Sequence, residues 1–117
     1  MAAPNIVNVA TITGKTAVQV VTTSATAIVT NSAASGQVLK VNALYVSNID
    51  GTNGADINVD IFRSSVAYRI AYTVLVPADA TLDVISKSIY LEEGDTLRLT
   101  ASANTRLEAV CSYEIIA

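Results

Sequence analysis

No histidine occurs anywhere in the 117 residues, and no tryptophan. The first absence removes the commonest general base, a principal zinc ligand and the usual middle member of a nucleophilic triad. A single cysteine, Cys111, excludes an intrachain disulfide. It stands in an apolar alternation, where a free cysteine acts as a small hydrophobe, and no activating partner is expected on its strand. Charge is scarce too, at 15% of residues, with a formal net charge of -3. The basic residues Lys15, Lys40, Arg63, Arg69, Lys87, Arg98 and Arg106 stand singly. Nucleic-acid binding wants clustered positive charge to displace counterions, so no nucleic-acid partner is expected. No apolar run reaches the ~18 residues that identify a membrane helix, and no membrane partner is expected. The opening Met1-Ala2-Ala3-Pro4-Asn5 lacks a basic and an apolar region, so a signal peptide is not expected and synthesis in a cytoplasm is.

Hydrophobic residues make up 51% of the chain. That is enough for one domain with a real core, although Ala and Val dominate and Phe62 is the only phenylalanine. Small, marginal cores of this kind are often supplemented by oligomerisation.

Helical periodicity is nearly absent and period two recurs. In Asp56-Ile57-Asn58-Val59-Asp60-Ile61 the apolar residues take one face and the polar ones the other, the pattern of a half-buried strand. Similar runs cover Asn5 to Thr13, Thr16 to Thr22 after a turn at Gly14-Lys15, Ala25 to Thr30, and Gln37 to Ser47. Others cover Val66 to Val76, Thr81 to Leu91, Thr96 to Ser102 and Leu107 to Ile115. Along Gln37 to Ser47, Leu39, Val41, Ala43 and Tyr45 are expected opposite Val38, Leu44 and Val46. Along Val66 to Val76, one face is expected to hold Tyr68, Ile70, Tyr72, Val74 and Val76 as core or subunit interface.

Turns are expected at Asn31 to Gly36, Asp50 to Gly54, Val76 to Asp79, Glu93 to Asp95 and Ala103 to Thr105. About eight short strands between frequent turns predict an all-β fold: a single antiparallel β-sandwich, jelly-roll-like, with an N-terminal extended segment. Residues 1–30 carry one charge, Lys15, and much Thr, Ala and Val. They read either as a strand pair buried on both faces or as an arm covering a neighbouring subunit, with residues 31–117 as the sandwich domain.

The sites that would carry chemistry are weak. Asp50, Asn53 and Asp56 offer oxygens to a hard cation, but their order does not match a calcium loop, and turns want Asp and Asn for backbone reasons. Glu92, Glu93 and Asp95 are expected to be solvated acids of an exposed turn rather than a catalytic pair. Tyr68 and Tyr72, with Tyr45, Tyr90 and Tyr113 elsewhere, offer the aromatic area a glycan would stack on. The chain is therefore not expected to be an enzyme or to carry a cofactor or metal.

Several phrases resemble a known family. They are Val41-Asn42-Ala43-Leu44-Tyr45-Val46-Ser47-Asn48 before a turn, Ile57 to Phe62, Val74-Leu75-Val76-Pro77-Ala78, and Ile89-Tyr90-Leu91-Glu92-Glu93-Gly94-Asp95-Thr96-Leu97. Together they resemble small virion structural proteins of tailed bacteriophages, those of marine cyanobacterial myophages in particular. The resemblance runs from about Asn5 to the C-terminus and rests on pattern, not on a catalytic motif. The Leu-x-x-Gly-Asp-x-Leu phrase also resembles a strand turn of trimeric jelly rolls of the tumour-necrosis-factor and complement type.

The resemblance implies a β-sandwich on a phage particle. The role expected is a capsid decoration (cement) protein, bound as a trimer or other small oligomer to the shell of the major capsid protein. Such a protein would be made in the host cytoplasm and would end on the capsid surface of the virion. A tail, collar or fibre-associated protein is the alternative, and a glycan-binding surface module the alternative of another class. The expected contact residues are Ile6, Val7, Val9, Ile12, Val18 and Val20, in a segment able to add a strand to a neighbour.

Overall fold

A computed structural model describes residues 9–117. Among them the alternating runs become nine strands, and no helix appears. These are β1 (Ile12–Val21), β2 (Thr26–Thr30), β3 (Val38–Asn48), β4 (Ala55–Arg63), β5 (Val66–Val76), β6 (Thr81–Asp83), β7 (Ile89–Leu91), β8 (Thr96–Ala101) and β9 (Leu107–Ile116). All pairings are antiparallel. One sheet runs β1-β9-β3-β6, with β7 also on β3, and the other runs β2-β8-β4-β5. The first will be called the five-stranded sheet and the second the four-stranded sheet.

Because β6 and β7 pair with successive stretches of β3, they act as one interrupted strand. The stretch expected to run unbroken from Thr81 to Leu91 is thus divided. Counting that pair once, eight strands wrap in two nested hairpin layers, which is jelly-roll order. The fold is the β-sandwich that the alternation predicts.

The core lies between the sheets. Val41, Leu44 and Val46 of β3 meet Ile57 and Val59 of β4 and Leu97 and Leu99 of β8, with Leu107, Ala109 and Cys111 of β9 beside them. Leu91 and Leu97, which flank the acidic turn, are both fully buried. Two buried asparagines hold ends of the sandwich together. Asn48, at the end of β3, donates through Nδ2 to Val76 O of β5 at 3.0 Å, joining the sheets. Asn31 donates to Gln37 O and Leu91 O, each at 3.0 Å. An unpaired buried amide would destabilise the fold, so these bonds fix where the loops sit.

Bulges alter which side chains face inward. The β3–β9 register shifts between Val41 and Ala43, so Asn42 is the extra residue. Leu39 and Val41 face the core before it, and Leu44 and Val46 after it. The expected division of β3 into two apolar faces is therefore wrong: one extra residue turns two half-patterns into one buried face. The β4–β5 ladder shifts twice, between Ile57 and Val59 and between Val59 and Asp60. Thr73 takes a positive φ of 54° there, and its amide donates to Asn58 Oδ1. Val74 and Val76 turn inward after this break, while Tyr68, Ile70 and Tyr72 remain exposed. The single apolar face expected for β5 is broken for the same reason.

The turn expected at Gly14-Lys15 is absent. β1 passes straight through it, with Gly14 opposite Glu114 and Lys15 opposite Tyr113. Glycine is not required there, since a side chain at Gly14 would meet open space. β1 joins β9 and β2 joins β8, so the described part of residues 1–30 completes both sheets. The outward face of β1 is exposed, against the reading of a strand buried on both faces.

Candidate functional site

Pairing register decides which exposed residues stand together. On the outer face of the five-stranded sheet Val18 lies opposite Val110, and Val110 lies opposite Tyr45. Cross-strand partners share a face, so the three make an apolar row across β1, β9 and β3. Their exposures are 74%, 41% and 44%. Val20 lies one step along β1, and a depression of about 350 Å³ is lined by Val18, Val20, Glu108 and Val110 among others. Single exposed hydrophobes need no explanation, whereas a contiguous row marks a surface fit for contact.

Of the expected contact residues, Ile6 and Val7 lie outside the described residues. Val9 is half-buried, and Ile12, Val18 and Val20 are exposed. Of these, Val18 belongs to the row and Val20 adjoins it. Val110 and Tyr45 were missed, although a trace existed: Val110 is the one large apolar residue among Glu108, Ser112 and Glu114 on the outward side of β9.

A second region lies at the end of the sandwich where β4 turns into β5. Arg63 donates from Nε to Asp95 Oδ1 at 2.7 Å and from Nη2 to Asp95 Oδ2 at 2.6 Å. The same Nη2 reaches Glu92 Oε2 at 2.9 Å. Asp95 is 1% exposed, so it is not the solvated turn acid that was expected. Its Oδ2 also accepts the Glu92 amide at 2.8 Å, which ties the turn to itself. The Arg63 hydrogen bond holds the Asp95 carboxyl below its ordinary value against the opposing effect of burial, with the Glu92 amide assisting. Asp95 in turn raises Arg63. Glu93 accepts the Gly36 amide at 3.0 Å. This is a structural clasp, with its carboxylates committed to donors.

Beside the clasp, Ile61, Arg63 and Tyr68 line a groove of about 370 Å³. Tyr68 pairs with Ile61, so it shares the core-facing side of the hairpin, yet it is 57% exposed. Tyr72 lies on the other side: Arg69, opposite Asp60, stacks its guanidinium 4.7 Å from the Tyr72 ring. Tyr68 and Tyr72 therefore do not form one stacking platform. On that outer side Asp60 is buried, held by Arg98 Nε at 2.9 Å, and Arg98 lies 4.0 Å over Phe62. Tyr45 and Tyr90 lie on the five-stranded sheet, and Tyr113 packs partly into the core.

The loop from Asp50 is occupied by its own backbone. Asp50 Oδ1 accepts the amides of Thr52 at 2.8 Å and Asn53 at 3.0 Å, which lower its pKa. Its Oδ2 stands 3.6 Å from Arg106 Nε. Those contacts are the turn chemistry of an Asx loop, and among the described residues no group of three His, Cys, Asp or Glu converges on a cation. Cys111 is fully buried, and burial pushes its thiol up to about 11, away from the reactive thiolate. Among the described residues no helix is long and apolar enough to cross a membrane.

No protein-family model matches the chain, and no curated protein does. Among solved structures, one of Bacillus endospore appendages, described as a family of disulfide-linked pili, is 14% identical with a TM-score of 0.53. The match covers 92% of this chain and 88% of that one, and it agrees with the sandwich fold. A pentameric capsid protein from metagenomic phage sequences is 16% identical with a TM-score of 0.43, over 85% of this chain and 59% of that one.

Proposed function

We propose that this chain is a structural subunit of a phage particle, a capsid decoration protein bound to the shell of the major capsid protein as a trimer or other small oligomer. The observation that carries the reading is the apolar row Val18–Val110–Tyr45 on the outer face of the five-stranded sheet. A row of exposed hydrophobes on a rigid sheet stabilises a contact by burial alone, with no special chemistry. Many copies on one lattice add avidity to weak individual contacts. The fold shared with an appendage subunit, and the phrases that resemble virion proteins, support the same reading. Unlike a disulfide-linked assembly, this one would be held without covalent links, because the sole cysteine is buried.

On this reading the chain is not an enzyme. It was made in the host cytoplasm and resides on the capsid surface. The contact surface is Val18 and Val20 with Val110 and Tyr45, Ile12 and Val9 lying nearer the entry of β1. The test is localisation in electron micrographs of purified particles, together with copy number per particle. Hundreds of copies spread over the shell are expected. A few copies at one vertex would favour the tail, collar or fibre reading, and absence from particles would refute both.

A further inference from the structure

Tyr68 is out of place for a sandwich. Its register puts it on the side of β5 that faces the opposite sheet, yet more than half of it is open. The cause is position in the sheet. Ile61 lies between Leu97 of β8 and Tyr68 of β5, and β5 is the outermost strand, so Leu97 is sealed while Tyr68, level with it, has no strand beyond it. Ile61 and Tyr68 are left as an apolar floor with Arg63 at its rim. The Arg63 charge is already matched by Asp95 and Glu92, so the groove suits an uncharged occupant.

An uncharged segment begins at the same end of the molecule. Residues 1–14 contain no charged side chain, and Ile6 and Val7 are adjacent apolar residues within them. Ala10 and Thr11 donate to Ala117 O at 2.9 and 3.1 Å, so at Ala10 the chain has already drawn level with the last residue of its neighbouring strand. β1 starts opposite Ile116, which itself lies opposite Val38, at the end where the groove opens.

Reach decides whose groove is filled. From β1 to β5 the way crosses the width of the four-stranded sheet and the gap between sheets, roughly 17 Å from strand and sheet spacings. Ile6 is three residues from Val9, at most about 10 Å of extended chain, and Val7 is closer still. Neither can enter the groove of its own chain without dismantling the start of β1.

We propose that the groove of Ile61, Arg63 and Tyr68 receives the N-terminal segment, Ile6 and Val7 foremost, of a second copy. Exit and groove lie at one end of the sandwich, so the exchange brings ends together around an axis. A reciprocal exchange of this kind closes an oligomer and does not extend a filament. This holds whatever particle carries the protein.

The test uses the full chain and engineered thiols, Cys111 being buried. Ile6→Cys and Tyr68→Cys proteins, one of them tagged, are mixed, refolded together and oxidised. A cross-linked heterodimer is expected, the rest of the protein remaining as like pairs that random mixing leaves without a matching thiol. Leu75→Cys, equally exposed but on another surface, is expected to give no link. In addition, Tyr68→Asp is expected to sediment as a folded monomer whose melting temperature no longer depends on protein concentration. No link between the mixed proteins, or a link only within one chain of the Ile6→Cys/Tyr68→Cys double variant, overturns the proposal. So does an oligomer that survives Tyr68→Asp. Absence of the protein from phage particles would refute the decoration reading and leave a positive cross-link standing.

Discussion

Arg63 and Asp95 face each other in a two-pronged ion pair, Nε to Oδ1 and Nη2 to Oδ2, across 32 residues of sequence. One partner is half open to solvent and the other is sealed, with side-chain exposures of 46% and 2%. The pair matters less as attraction between charges than as satisfaction of a carboxylate that has nowhere else to go.

Removing that carboxylate should therefore loosen the turn after β7 as well as the hairpin. Asp95→Ala is expected to lose about 2 kcal/mol in urea unfolding, because Arg63 and the Glu92 amide lose their acceptor. The same residue makes stability depend on acid. Its folded pKa lies below the ordinary 3.8, so its contribution is present above that value and is lost as pH falls through the folded pKa. Wild-type melting should be flat near neutrality and fall below about pH 4, and Asp95→Ala should fall less steeply. An identical acid limb in both proteins would show that the clasp does not carry this dependence.

Val18→Asp and Val110→Asp address the outer row. Both positions are exposed, so each variant should keep its stability within about 0.5 kcal/mol. Each is expected to fail to pellet with particles stripped of the protein, whereas Leu75→Asp, exposed on the other sheet, should pellet normally. Binding that withstands a charge at both valines would move the contact surface elsewhere.

Two glycines make a matched pair. Gly94 has φ at 90° with open space where a Cβ would stand, so Gly94→Ala should cost about 1 kcal/mol through backbone strain alone. Gly14 also meets open space but sits in an ordinary strand conformation. Gly14→Ala should be neutral or slightly stabilising, as thermal melts of the two variants would register.

Cys111 supplies a reporter of global opening. With its thiol pushed up to about 11, it should react with an aromatic disulfide reagent at pH 8 far more slowly than a free thiol, by about 100-fold on thiolate content alone. Full reactivity should return in urea, along the same transition as the loss of β-structure.

The sandwich was legible because alternation survives in single stretches such as Ile57, Val59 and Ile61, whichever partner strand lies beside them. The facing of β3 and β5 was not. A bulge needs one extra residue, and Asn42 or Thr73 carries no compositional mark that distinguishes it from its neighbours. The Arg63–Asp95 clasp was hidden because a local reading sees Asp95 beside Glu92 and Glu93, and nothing there summons an arginine from another strand. The row Val18–Val110–Tyr45 exists only once three strands are laid in register. Val110, alone among polar outward residues of β9, was the one visible sign of it.

The bulge at Asn42 also bears on how this chain can vary. In most strands, losing one residue acts like a frameshift and swaps inside for outside downstream. In β3 the frame is already shifted once. Excising Asn42 would bring Leu39, Val41, Leu44 and Val46 into a single unbroken alternation, with the buried set unchanged. One central strand of this fold thus holds a spare residue, and length change there trades local curvature while sparing the core.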